Sequence, residues 1–279
     1  MCLLFSGACS RLLATAAAQD SILVSSAIHQ STHSTLFGIG GVRQLDTYLS
    51  PIEYRGPQLL FLKEKLRPTR LLHGRLTYQG LLQADASMTR NRIENVKLLG
   101  ANIRYDATWH YNWQPLSALR IMAGPQIGGN AGFLYNTRNG NNPAQALLNI
   151  DIAASAAAVY TFNICGHTFR LRDQLDLPII GLMFSPNYNQ SYYELFSLGN
   201  TDHNIRFTSP FNRPDLRNQL TLDFPLLGTT IRAGYLIDIR QSHVNNIRHH
   251  SYTHAFVLGW VKHFTYRNHR QAATDGYVM

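Results

Sequence analysis

Residues 149–162, NIDIAASAAAVYTF, alternate for about fourteen residues. Ile150, Ile152, Ala154, Ala156, Ala158, Tyr160 and Phe162 fall on one side of an extended chain, and Asn149, Asp151, Ser155 and Thr161 fall between them. A period of two marks a strand with one apolar and one polar face. Strands of water-soluble domains usually stop at about five or six residues. A strand that crosses a bilayer in a closed barrel needs ~9–11 and keeps one face on lipid. Length therefore constrains this chain more than alternation does.

The same pattern recurs from end to end. In NIRYDATWHYNW, Ile103, Tyr105, Ala107, Trp109, Tyr111 and Trp113 oppose Arg104, Asp106, Thr108 and His110. In TIRAGYLIDIRQ, Ile231, Ala233, Tyr235, Ile237 and Ile239 oppose Arg232, Gly234, Leu236, Asp238 and Arg240. RLTYQGLLQADASM follows the rule except at Leu81, and QLLFLKEKL assigns cleanly to neither face. Ten segments are expected as strands, at about 34–46, 57–66, 73–88, 97–112, 117–134, 146–162, 167–182, 214–225, 229–241 and 251–266. Their connections alternate between short and long. The expected fold is all-β, an antiparallel transmembrane β-barrel of about ten strands, with short periplasmic turns and long extracellular loops.

The first twenty residues stand apart. An apolar, Ala-rich stretch ends in Ala16-Ala17-Ala18, which fits a signal peptide over 1–18. The remaining division is a periplasmic segment at 19–33, a barrel at 34–266 and a tail at 267–279. Cleavage would leave Cys165 as the sole cysteine, so no internal disulfide can form. The net charge is +9, carried by 21 Arg and 4 Lys. These are spread through strand-like segments, often near an Asp, which argues against a nucleic-acid patch and for ion pairing inside a lumen.

LDTYLSPIEYRG (45–56), AGPQIGGNAGFLYNTRNGNNPAQA (123–146), LPIIGLMFSPNYNQSYYELFSLGNTDHNI (177–205) and LTLDFP (220–225) closely resemble family 3316 of domains of unknown function, from Gram-negative bacteria. The resemblance covers roughly residues 34 to 266. It implies a secreted outer-membrane protein and brings no activity with it.

The candidate chemistry is sparse. Lumen-facing Arg75, Arg104, Arg120, Arg170, Arg172, Arg232 and Arg240 alternate with Asp85, Asp106, Asp151, Asp176, Asp223 and Asp238. A barrel of about ten strands leaves little free interior, so these charges are expected to pair as a plug, with a narrow pore as the rival reading. Asp202 and His203, with Glu194 or Asp46 as helpers, are weak candidates for an acid–His pair that activates water. Ser50, Ser185 and Ser197 lack a nucleophile elbow around them. Tyr188, Tyr192, Tyr193 and Phe196 lie in the longest loop, suited to carbohydrate or partner binding or to capping the mouth. His249, His250 and His254 read as solvent-facing, and the glycines of GIGG (38–41) as an aid to strand curvature.

The expectation is an outer-membrane protein, structural or ligand-binding through its extracellular loops. An omptin-like or lipid-modifying surface hydrolase is the alternative, and a narrow pore the second. No cofactor or metal is expected. The expected partners are outer-membrane lipid, lipopolysaccharide and the barrel-assembly machinery.

Overall fold

The computed structural model describes residues 30–265, apart from positions 94, 141 and 227. The signal peptide at 1–18, most of the segment at 19–33 and the tail at 267–279 lie outside the described residues. In chain order the strands are β1 (Gln30–Asp46), β2 (Ser50–Pro68), β3 (Leu76–Arg90), β4 (Lys97–Leu116), β5 (Leu119–Asn136), β6 (Ala144–Ile164), β7 (His167–Phe184), β8 (Ile205–Thr208), β9 (Leu216–Leu226), β10 (Thr229–Val244) and β11 (Ile247–Thr265). One short helix, α1 (Tyr192–Phe196), lies between β7 and β8.

Every pairing is antiparallel, and β1 pairs with both β2 and β11, so the sheet closes on itself. The barrel has ten staves because β8 and β9 share one. β8 pairs with Gly181–Phe184 of β7, and β9 pairs with Arg170–Asp176. Between them, residues 209–215 leave the ladder through Pro210 and Pro214, which have no N–H to donate.

The alternation sorts the two faces. Along β6, Ile150, Ile152, Ala154, Ala156, Ala158 and Tyr160 are exposed outside, while Asp151, Ala153, Ser155, Ala157 and Val159 are buried in the lumen. The two irregularities in the pattern have one cause. Leu81, Leu236 and the inward Leu60 and Leu62 of β2 pack with Leu36, Ala255 and Val257 as an apolar cluster inside the barrel.

The connections expected to be extracellular are shorter than expected, at 47–49, 91–96, 137–143 and 245–246, and the long one is 185–204. Segments read as loop continue as paired strand; Arg55 and Tyr54 still pair with Arg43 and Gln44. A ladder above the apolar band can stay paired while its side chains meet water. Hydrophobic alternation marks only the lipid-facing part of such a strand.

Two rows that carry lysine or arginine side chains bound the outer apolar face. At the end where β1 begins, His33 of β1 lies opposite Lys65 on one side and Lys262 on the other. Toward the other end, Arg43 lies opposite Arg55. Along β1 these rows are ten residues apart, about 33 Å of strand at ~3.3 Å per residue. At the ~40° tilt usual for membrane barrels that gives about 25 Å of height, the thickness of their apolar band.

Candidate functional site

The inward side chains of the staves form two hydrogen-bonded groups along the lumen. Toward the end where β1 begins, Arg232 donates through Nε and Nη2 to Asp223 at 2.6 and 2.9 Å, and through Nη1 to Glu64 at 2.6 Å. The other oxygen of Glu64 accepts from Arg172 at 2.6 Å and from Gln79 at 2.7 Å. Gln174 links this group to Asp176, which also accepts from Ser155 at 2.5 Å and Arg217 at 2.8 Å. Arg217 forms a second ion pair with Asp106 at 2.6 Å. Arg104 then bridges Asp106 and Asp151, 2.9 Å from each. Nearer the 185–204 loop, a separate group has Arg240 paired with Asp85 at 3.0 Å and Asp238 at 2.5 Å. Arg213, turned inward by the 209–215 excursion, pairs with Asp215 at 2.6 Å. Buried charges are tolerated when paired and hydrogen-bonded in this way.

The structure brings together Arg104, Arg172, Arg232 and Arg240 with Asp85, Asp106, Asp151, Asp176, Asp223 and Asp238, all named from the sequence. Arg75 is a correction. β3 begins at Leu76, so Arg75 ends the preceding turn, exposed, and donates to Tyr111 Oη at 3.2 Å outside the lumen. Arg120 keeps the inward register of Met122 but lies exposed at the barrel end away from the 185–204 loop, and Arg170 is half-buried there. Among the described residues neither has a carboxylate within ion-pair distance. Glu64, Arg213 and Arg217 escape the sequence reading. Glu64 sits in the strand whose faces could not be separated, and the two arginines sit where the eighth stave breaks.

The barrel mouth under the 185–204 loop is covered. Ser191 caps α1 by accepting from the Glu194 N–H, and Glu194 Oε2 accepts from the Ser191 N–H at 2.8 Å. This reciprocal capping box holds even so short a helix. Tyr48, in the β1–β2 turn, donates to the Gln190 carbonyl at 2.8 Å. Tyr192 donates to Gln145 at 3.0 Å and accepts from the Ala146 N–H at 2.6 Å. Asn245, in the β10–β11 turn, donates to the Ser185 and His203 carbonyls at 2.9 and 3.0 Å. Beneath the loop, Tyr48, Leu49, Tyr54, Leu98, Leu134 and Ile247 form an apolar cap on which Tyr192 packs. Burial raises the Tyr48 phenol above its ordinary pKa and pushes Tyr192 up to about 12. Both therefore stay neutral donors. The loop aromatics divide by role: Tyr192 docks downward, while Tyr188, Tyr193 and Phe196 are 54%, 67% and 75% exposed.

The sequence-based catalytic candidates do not assemble. Asp202 and His203 are exposed, and their carbonyls are held by Asn187 and Asn245. Glu194 is taken up by the cap, and Asp46 accepts from the Tyr48 N–H and lies 3.1 Å from His249 Nδ1. Ser50 accepts from the Ile52 N–H, Ser185 donates to the Pro186 carbonyl, and Ser197 is exposed at the end of α1. His250 stacks on Tyr252 at 4.6 Å, and His254 Nδ1 lies 3.2 Å from Tyr235 Oη. Among the described residues no three His, Cys, Asp or Glu side chains converge as metal ligands. In GIGG, Gly40 permits close strand approach, since a Cβ there would lie 2.1 Å from the His254 carbonyl oxygen.

A closed antiparallel barrel with an apolar outer belt, a charged and packed lumen and a covered mouth belongs to the class of transmembrane β-barrels. The chain belongs to the protein family of unknown function DUF3316, whose model matches residues 1–271. No curated protein matches it. Among solved structures it is similar to the translocator domain of the autotransporter NalP from Neisseria meningitidis, at 10% identity over 90% of this chain and 97% of that one, with a TM-score of 0.39. It is also similar to the transport unit of the autotransporter AIDA-I from Escherichia coli, at 8% identity over 83% and 90%, TM-score 0.42. The outer membrane protease OmpT from Escherichia coli matches at 8% identity over 84% and 96%, TM-score 0.41. These likenesses carry no argument about activity.

Proposed function

We propose that the protein resides in the outer membrane as a sealed barrel and presents the 185–204 loop as a ligand-binding surface outside the cell. One observation carries the reading. The loop is fastened to the β1–β2 and β10–β11 turns through Tyr48 and Asn245 and to the start of β6 through Tyr192, yet Tyr188, Tyr193 and Phe196 remain exposed. Ordering these side chains in advance lowers the entropy cost of binding. Exposed aromatic rings amid Asn and Ser suit the faces of carbohydrate rings or a protein partner.

The packed lumen argues against a resting pore, and the dispersed Asp202, His203 and Glu194 argue against a hydrolase. The test is a glycan-array screen of the purified protein in detergent, repeated with Tyr193→Ala and Phe196→Ala. Binding that both variants abolish while the fold persists supports the reading. Steady conductance of the wild type in planar bilayers would instead favour the pore, and peptide or lipid hydrolysis the enzyme.

A further inference from the structure

The lumen is covered under the 185–204 loop, but at its other end inward side chains meet solvent. Arg120 of β5, Asn163 of β6 and His263 of β11 keep the inward register of their strands and are exposed there. Among the described residues the barrel is thus a cup, with the Arg172–Glu64–Arg232 group as its floor.

Two arginines of the cup wall differ from those of the floor. Every arginine in the two lumen groups reaches a carboxylate. Among the described residues, Arg120 and Arg170 reach none and their side chains make no hydrogen bond. Asp223 is directly opposite Arg170 across the ladder, yet both its oxygens accept from Arg232. Glu64 is likewise divided between Arg172 and Arg232.

The register places the donors on one concave face. Arg120 is opposite Val159 and Val159 is opposite Arg172, so the two arginine Cα atoms stand two strand spacings apart, about 10 Å. Arg170 lies two residues nearer the mouth than Arg172, about 7 Å along β7. Arg170 and Arg172 are the charges that act on Arg120. Arg172 is 6% exposed, and its Nε–H has no acceptor. Thr161, directly opposite Arg170, adds a hydroxyl to the same face. A guanidinium fork fits the oxygens of phosphate and carboxylate alike. The spread over β5, β6 and β7 exceeds the width of one acidic group, and the approach is from water.

We infer that this face of Arg120, Arg170 and Arg172 binds a small, water-soluble anion with two acidic groups, phosphate or carboxylate, entering from the end away from the 185–204 loop. The site is independent of what that loop binds.

The experiment is titration calorimetry of the detergent-solubilised full chain with inorganic pyrophosphate, with succinate and with acetate. The wild type should bind pyrophosphate or succinate saturably and acetate about tenfold more weakly, and the better of the first two names the acidic group. Arg120→Gln with Arg170→Gln should weaken binding by about tenfold or more, as expected for loss of charge-assisted hydrogen bonds. Arg120→Lys with Arg170→Lys should lose less. Arg75→Gln, at the same end but outside the lumen, should change nothing. A chain lacking 267–279 should bind as the full chain does. Heat-modifiable gel mobility shows that each variant is folded. Absence of saturable binding overturns the site, and so does an equal loss in Arg75→Gln, which would reduce it to the general charge of that rim. Binding that appears only after the deletion would give the face to the tail and overturn a soluble ligand.

Discussion

Arg232 Nη1 lies 2.6 Å from Glu64 Oε2 inside the barrel, although 168 residues separate the two in sequence. Arg172 Nη1 lies 2.6 Å from the other oxygen of the same carboxylate. One acid thus holds two buried guanidinium groups from β7 and β10 against β2, tying opposite parts of the wall together.

Removing one member of such a group leaves buried charge without compensation, a loss of about 3–5 kcal/mol. Glu64→Gln is expected to lower folding stability by that amount, read by tryptophan fluorescence in a urea titration in lipid vesicles. Glu64→Leu combined with Arg172→Met and Arg232→Met should recover most of it. A Glu64→Gln chain as stable as the wild type would mean that the network contributes little.

The outward face should reject charge. Ala156 lies mid-strand on the outside of β6, and Ala156→Arg is expected to cost ~2–4 kcal/mol in lipid vesicles, the range for cations near a bilayer midplane. Ala156→Leu should be close to neutral. Equal effects of the two substitutions would place that face in water.

Much of this was legible in the sequence because a membrane barrel writes its two solvents into alternate residues. Ile150 and Asp151 need no tertiary information to be sorted. The signal fails where the lumen is itself apolar. Leu60 and Leu62 face inward beside Glu64, so β2 carries apolar residues on both faces and its central carboxylate was hidden. It fails again at Arg213 and Arg217, where the excursion at 209–215 breaks the period. The covering of the mouth by Tyr192 depends on contacts with Gln145 and Ala146, about 46 residues away in sequence, which no local pattern encodes.

The lid over the mouth should open when its fastenings are removed. Tyr48→Phe leaves the Gln190 carbonyl without its donor, a penalty of about 1–3 kcal/mol for a buried group. Limited proteolysis within 185–204 should then speed up by about tenfold. An unchanged rate would mean that Tyr192 and Asn245 hold the loop without Tyr48.

The closing strand sets a further expectation. β11 pairs with β1 from Gln30↔Thr265 to Asp46↔His249. A chain ending at Gly259 removes the part of that seam at the start of β1 and exposes strand edges that lipid cannot satisfy. It should fail to reach the heat-modifiable form, whereas deletion of 267–279 should leave assembly intact. Normal mobility of the shorter chain would undo the assignment of β11 as the closing stave.

The lipid contact of the outer wall is tested most directly by a nitroxide spin label at Ile152, in a chain whose native cysteines are serine, reconstituted into phospholipid vesicles. Ile152 is 47% exposed on the outside of β6, between Asp151 and Ala153 of the lumen. The expected result is relaxation by dissolved oxygen, which partitions into hydrocarbon, and protection from a water-soluble nickel chelate. Strong relaxation by the nickel chelate and weak relaxation by oxygen would put that face in water and contradict the membrane barrel.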